Sequence, residues 1–356
     1  MPPDSGTYVP TLAVRASEMN GLEFLPAASK SRMIPVFLLA PWVNSKSLER
    51  TIERIERAYP RNSYFLDVDR DYIPKDAENS LAQSEWLALR DSSEQFKTWR
   101  DFCARYSAII PCLQLDDQND RDIELQIRRI QEMEREFCLR IELNRMPDNI
   151  RQVVGVLQGI GTADFSIVVE GGWVNDPLTL YARTHGLITE TLTDLDGRVP
   201  IAISCTSMRK GFSDIEGVEE DPFSNRQLLD DLKRGTNREI LLYGDWGSTR
   251  PREDSFGQAP FPRIDYATSD SWHFSRNKGE GWGYREAAQA IVMSEAWDGR
   301  LGIWGEEKIL HTVQDPEFAI DTPRKNIAAR VNIHLHRQAL YGDEISGINL
   351  DEDWVD

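Results

Sequence analysis

Eight short, β-rich apolar runs alternate with longer stretches of helical period, and that alternation restricts the chain to repeated βα units around a parallel sheet. The runs are Thr11 to Arg15, Met33 to Ala40, Ser63 to Val68, Ala108 to Leu115, Phe137 to Leu143, Phe165 to Val169, Val199 to Cys205 and Glu239 to Gly244. Several are apolar on both faces, as strands covered on both sides should be. Helical patterns separate them at Glu18 to Ala28, Ser47 to Tyr59, Ala82 to Tyr106, Asp120 to Arg135, Pro147 to Gly159, Pro177 to Leu192 and Asn225 to Arg234. Pro147 and Pro177 suit first helical turns, and Asn44 or Ser45 is placed to cap the helix that follows. The expected fold is α/β: a (βα)8 TIM-like barrel with a C-terminal loop-and-helix extension. A barrel of this kind uses about 250 residues, and the 356 residues present leave room for the extension.

One domain is expected over residues 1–342. It includes a long Pro-, Gly- and aromatic-rich loop after the eighth strand, at about 245–283, of a length that usually signals function. Helices are expected near Tyr284 to Ala296 and Arg324 to Tyr341, with a short apolar run at Leu301 to Trp304. Residues 343–356 carry Asp343, Glu344, Asp351, Glu352, Asp353 and Asp356 without a Lys or Arg, and read as a solvated acidic tail.

The chain has 41 basic and 59 acidic residues, a formal charge of -18. Nonspecific coating of nucleic acid is disfavoured, because such a body repels polyphosphate. Cys103, Cys112, Cys138 and Cys205 lack CxxC or zinc-like spacing and read as reduced thiols. The longest apolar runs are strand length, short of the ~20 residues a membrane helix needs. The first eight residues lack the basic and apolar regions of a secretory signal. A cytoplasmic location without membrane contact is the expectation.

In such a barrel the reactive face lies at the C-terminal ends of the strands, where the βα loops converge. The residues there are Arg15 and Glu18, Asp67 and Asp69, Asp116 and Asp117, Glu142, Glu170, Cys205 and Thr206, and Asp245. Asp67, Glu142, Glu170 and Asp245 are the candidate catalytic and metal-binding set, for Mg2+ or Mn2+ or for acid–base work. The competing reading for each acid is a helix cap. Asp67 and Glu142, lodged among apolar strand residues, fit that reading least.

Arg15, Arg209, Arg263 and Arg276, with Lys210, Arg250 and Arg252 beside them, are candidates for binding phosphate, whose oxygens an Arg fork matches. Pairing with the abundant acids is the structural alternative. Trp246 and Trp272, with Tyr266, Trp282 and Trp304, offer stacking surfaces for a base or sugar, against the favoured reading that they pack the long loop on the barrel. His334 and His336 stand two apart in a predicted helix, which points their rings in different directions and argues against shared metal ligation. Cys205 with His273 as its base is a weaker alternative to a buried inert thiol. GxGxxG, Walker, HExxH and GxSxG motifs are lacking.

The opening Tyr8-Val-Pro-Thr-Leu, with Arg15 and Glu18, resembles the start of the phage "Beta protein" family. A later series resembles it more specifically: Gly244-Asp245-Trp246-Gly247-Ser248-Thr249, Pro262-Arg263-Ile264-Asp265-Tyr266, Ile303-Trp304-Gly305 and Asn332-Ile333-His334-Leu335-His336. The resemblance spans nearly the whole chain and brings no catalytic signature. It implies a component of a phage or prophage cassette linked to anti-phage defence or toxin–antitoxin restraint, encoded beside an effector or toxin partner.

Two function classes follow. In the first, the mouth binds a nucleotide or other phosphate-bearing ligand, with a divalent cation, as a metal-dependent phosphodiesterase or other hydrolase. In the second, the chain is a noncatalytic regulator that binds and neutralises a toxic effector protein through the aromatic loop and acidic tail. A glycosidase with two rim carboxylates is a third.

Overall fold

The computed structural model describes residues 3–4, 6–116, 118–174, 176–252, 261–315, 317 and 319–343. In chain order the strands are β1 (Val9–Ala13), β2 (Val36–Leu39), β3 (Tyr64–Val68), β4 (Ile109–Pro111), β5 (Phe137–Glu142), β6 (Phe165–Trp173), β7 (Ile201–Thr206), β8 (Gly217–Pro222), β9 (Leu241–Asp245), β10 (Ile264–Ala267) and β11 (Ser271–Arg276). Eight of them pair in the order β4-β3-β2-β1-β9-β7-β6-β5, and every pairing is parallel. The two edges approach through a parallel bridge between Cys112 and Cys138, with Leu113 N donating to Cys138 O at 2.8 Å. The sheet is therefore a nearly closed, barrel-like array flanked by helices, consistent with a TIM-like fold. All eight apolar runs read from the sequence lie in it.

The helices are α1 (Ala16–Glu23), α2 (Ala27–Lys30), α3 (Glu49–Ala58), α4 (Leu81–Ala88), α5 (Ser93–Ala104), α6 (Asp120–Gln131), α7 (Ile150–Ile160), α8 (Pro177–Gly186), α9 (Asn225–Gly235), α10 (Tyr284–Val292), α11 (Trp304–Gln314) and α12 (Pro323–Ala339). Their apolar stripes explain their seating: α3 buries Ile52, Ile55 and Ala58, and α6 buries Ile123, Ile127 and Ile130, the spacing of one helical face. Pro177 opens α8 behind Asp176, whose carboxylate accepts from Leu178 N and Thr179 N. Asn44 and Ser45 do not cap α3. Asn44 turns with φ of 58°, and the helix starts later, behind Leu48, with no side-chain cap. The single helix expected from Ala82 to Tyr106 is two, because the Asp91 carboxylate binds Ser93 N and Oγ in a local turn that competes with helix.

Side-chain alternation along the strands divides the core. Val9, Val36, Leu38, Phe65, Cys112, Cys138, Val168, Ala202, Leu242 and Trp246 fill the barrel interior. The opposite faces of the same strands pack against the helices in a larger cluster that includes Tyr8, Leu12, Leu66, Ile203 and Tyr243. Gly244 sits where the sheet draws in: a Cβ there would lie 2.6 Å from Val9 O.

The extension is not only loop and helix. β8, β10 and β11 form an antiparallel sheet in the order β10-β11-β8, and β8 comes from the connection between β7 and α9, ahead of the last barrel strand. Strand pairing between distant segments leaves little local signal, and the acidic Gly217–Pro222 lacks an apolar run. α11, expected only as a short apolar run, is a full helix that buries Gly305, Glu306, Ile309 and Thr312. These elements share a second hydrophobic cluster with Trp272, Phe274, Ala288 and Ile303.

α12 joins the two parts. Its Val331 and Leu335 belong to the cluster around the barrel, and its Ala329 and Ile333 to the second cluster. Among the described residues no helix is long and apolar enough to cross a membrane. The acidic tail beyond Asp343, Asp117, and residues 253–260 of the long loop lie outside the described residues.

Candidate functional site

Three of the four expected carboxylates meet inside the barrel. Asp67 on β3, Glu142 on β5 and Glu170 on β6 share the inward parity, and all three bind one guanidinium, that of Arg140. Arg140 Nη1 donates to Asp67 Oδ2 and to Glu142 Oε1, each at 2.8 Å. Its Nε donates to Glu170 Oε2 at 2.7 Å, and Nη2 reaches the same oxygen at 2.5 Å. Gln114 Nε2 completes Asp67 at 2.7 Å. Arg140 stands two residues before Glu142, which places both on one face of β5.

Burial alone would raise each carboxyl. At Asp67 the Arg70 and Arg140 charges and the Gln114 and Arg140 hydrogen bonds outweigh burial and hold the pKa below its usual value. At Glu170 burial wins against Arg140, the negative Glu142 adds to it, and the pKa is pushed up to about 7. Burial opposes the charge of Arg140, but the three acids hold its pKa well above the usual value. Sequence reasoning passed over Arg140, although a cation in the middle of the apolar run Phe137 to Leu143 was a signal: buried Arg needs acidic partners.

Asp245 is elsewhere. β9 turns Leu242 into the barrel, so Tyr243 and Asp245 face outward, beneath α12. The Asp245 carboxylate accepts from Tyr8 Oη, from Tyr243 Oη at 3.0 Å and from Gly247 N at 2.8 Å. His334 Nε2 lies 2.7 Å from Asp245 Oδ2, the oxygen that also accepts from Tyr243. Burial raises the Asp245 pKa, but His334 and these donors bring it below the ordinary value. His336, on the same helix, meets Ser29 Oγ through Nδ1 at 2.9 Å. Among the described residues no three His, Cys, Asp or Glu side chains are grouped to hold a metal ion.

Above the Arg140 cluster the strand ends open into two adjoining cavities. The larger, of about 590 Å³, is lined by Arg15, Arg70, Lys75, Arg145 and Arg252, with Asp71 as its acid. The smaller, of about 280 Å³, shares Asp71, Arg145 and Arg252 and adds Glu142, Glu170, Trp173 and Lys210. Arg252 is paired with Asp69, and Arg145 with Asp71. Lys210 lies over the Trp173 ring at 4.1 Å. Lys75 is exposed. Arg70, Lys75 and Arg145 were not singled out from the sequence. They follow strand ends that carry acids, and only the closing of the sheet gathers them.

The remaining candidates are dispersed. Arg209 is bound by Asp221 at 2.9 Å and Glu219 at 3.3 Å beside the three-stranded sheet. Arg263 pairs with Asp265 and lies over Phe212 at 3.4 Å. Arg276 is buried and lies over Phe261 at 5.1 Å. Trp246 is in the barrel core, and Trp272 packs against Phe223 at 4.2 Å and donates to Ser248 Oγ at 3.0 Å. Neither tryptophan lines the mouth cavities. Cys205 is buried on the outer face, where desolvation raises its thiol pKa.

The late motifs meet around α12. His334 binds Asp245, Arg330 binds Asp265, Gly305 N donates to Asn332 Oδ1 at 2.8 Å, and Asn332 Nδ2 donates to Gly21 O at 2.9 Å. The family model described as Beta protein matches residues 8–340. A curated relative, Protein beta of Enterobacteria phage P4, is 26% identical over 358 residues, covering 98% of this chain and 97% of the relative. With a match of that extent, the chain belongs to the Beta protein family.

Proposed function

We propose that the barrel-like sheet is a (βα)8 barrel whose mouth binds a phosphate-bearing, nucleotide-like ligand, with Glu170 moving a proton there. The observation that carries the reading is the larger cavity, which gathers five basic side chains at the strand ends of a chain of formal charge -18, with Arg15, Arg70, Arg145 and Arg252 sharing carboxylate partners and Lys75 exposed. A cationic bowl in an acidic body admits a small anion while the surrounding field repels a long one. Arg forks at the rim match phosphate oxygens.

Glu170 lines the adjoining cavity. With a pKa of about 7 it is divided between acid and base at neutral pH, as proton transfer favours. On this reading water attacks the phosphorus of a phosphodiester and Glu170 takes its proton. The P–O bond to the leaving alcohol breaks, and the proton passes to the departing alkoxide. Arg140, itself neutralised by Asp67, Glu142 and Glu170, orients the Glu170 carboxylate, and on this reading the rim cations stand where Mg2+ or Mn2+ was the expectation. Family membership supports a phage or prophage setting, and we place the chain there in a defence or toxin-restraining module of the cytoplasm.

Isothermal titration with AMP and inorganic phosphate tests the binding, and a chromogenic phosphodiester tests turnover. Lys75→Ala and Arg145→Ala should each weaken AMP by about tenfold, the scale of one charge-assisted contact. Glu170→Gln should abolish turnover while AMP still binds. Absence of binding at millimolar AMP and phosphate would end the reading.

A further inference from the structure

A third cavity, of about 390 Å³, opens beside the mouth among the loops that follow β1, β2 and β3. Arg15, Tyr72 and Arg252 line both it and the larger mouth cavity, so the two spaces share a wall. Its character is different. Val14, Pro41, Trp42 and Tyr72 give it apolar and aromatic surface, and among the described residues no carboxylate lines it. Both rings are half-buried and rest on the core around the barrel.

We propose that this cavity holds the base of the ligand whose phosphate sits in the mouth, with Trp42 and Tyr72 as its stacking surfaces, which makes the ligand a nucleotide. The proposal rests on the reading of the mouth as a phosphate site. A nucleotide carries its phosphate and its base on one sugar, and two cavities with a common wall suit that arrangement. Trp42 is fixed through its backbone: its N donates to Thr51 Oγ1 at 2.9 Å, and its O accepts from Ser45 N at 2.9 Å. Asn44, with φ of 58°, lies within that turn, in a conformation that Asn tolerates better than most residues. Tyr72 N donates to Asp69 O at 3.1 Å, and Trp86 meets the Tyr72 ring edge to face at 5.1 Å. Rings held in this way lose little freedom when a base stacks on them, and such stacking asks only for a π face. The edges of a base ask for neutral donors and acceptors. Gln83 Oε1 accepts from Asp76 N at 2.9 Å, which leaves Nε2 as a donor, and the Ser80 hydroxyl makes no cap bond to α4. Both residues line the cavity. Trp246 and Trp272, the stacking candidates named from the sequence, do not line it.

Isothermal titration of the full chain with ribose 5-phosphate, AMP, GMP, CMP and UMP tests this. At least one nucleotide should bind about tenfold or more tighter than ribose 5-phosphate, which carries the same sugar and phosphate without the base. Trp42→Ala should bring that ratio to within about twofold of unity. Trp42 also packs on the core, so a measurement on the unaltered chain keeps the test open if the variant fails to fold. Irradiated with the tightest nucleotide bearing an azide on its base, the chain should be labelled within residues 41–45 or at Tyr72. Nucleotides that bind no tighter than ribose 5-phosphate, an advantage that survives Trp42→Ala, or a label confined to other segments would overturn the base site. Failure of the mouth reading looks different: ribose 5-phosphate and inorganic phosphate would then not bind at millimolar concentration, and both inferences would fall.

Discussion

A single guanidinium sets the chemistry of the barrel interior. Arg140 is 6% exposed and holds three carboxylates, so its removal leaves acids buried without a counter-charge. Arg140→Met should cost on the order of 3–5 kcal/mol, the usual penalty for breaking a buried ion network from one side. Urea denaturation at pH 7 would show this as a lower midpoint at constant slope. The Glu170 carboxyl gives a pH signature with a definite sign. Its folded pKa of about 7 exceeds the ordinary 4.5, so its stabilising contribution is complete below pH 4.5 and is lost as the pH rises through 7. Stability measured against the Glu170→Gln variant should fall across that window by about 3 kcal/mol. A flat difference between the two proteins from pH 4.5 to 7.5 would contradict it. Asp67, Asp245 and Asp265 have the opposite sense. Their depressed pKa values stabilise the fold at neutral pH, and that contribution disappears on acidification.

The element that organises the molecule is α12. Every residue from Ala328 to Ala339 is buried in it, and its polar side chains are spent on named partners rather than on solvent. His334 closes the Asp245 site, Asn332 bridges α1 and α11, and Arg337 Nη2 donates to Tyr266 Oη at 3.1 Å. His334→Ala would leave a buried carboxylate short of one partner, at a cost of about 2–4 kcal/mol. Gly305→Ala tests the packing of α11 on α12, since the added Cβ would meet Ala329 O at 2.5 Å. Overpacking there should cost about 1–3 kcal/mol. Thermal unfolding followed by circular dichroism would report both changes. The family resemblance read from the late motifs therefore marks how one helix is docked.

At the scale of the whole molecule, α12 couples the barrel to the second hydrophobic cluster. Its alternate apolar residues enter both, so neither part can shed the helix without exposing core. A single cooperative transition should follow, with far-ultraviolet circular dichroism and tryptophan fluorescence giving coincident curves. Trp86 and Trp99 report on the barrel side and Trp272 on the other, so two separated fluorescence steps would rule the coupling out. Charge has a whole-molecule reading as well. The formal charge of -18 belongs to the whole chain, whereas the basic side chains of the mouth are gathered locally by the strand ends.

The sequence by itself determined the eight parallel strands and most of the helices around them, because hydrophobic period is a local property that every segment carries. It also determined that Asp67, Glu142 and Glu170 would stand near strand ends. Which way each acid points was decided by tertiary structure. Asp245 closes its strand as the others do, yet one residue of parity turns it outward to His334. The partner of the other three, Arg140, was visible as a cation in an apolar run, but its convergence with acids from β3, β5 and β6 arises only when the sheet curls round. The three-stranded sheet and the cationic mouth are likewise products of contacts between segments far apart in the chain. Such contacts depend on closure and packing, which no short window of residues encodes.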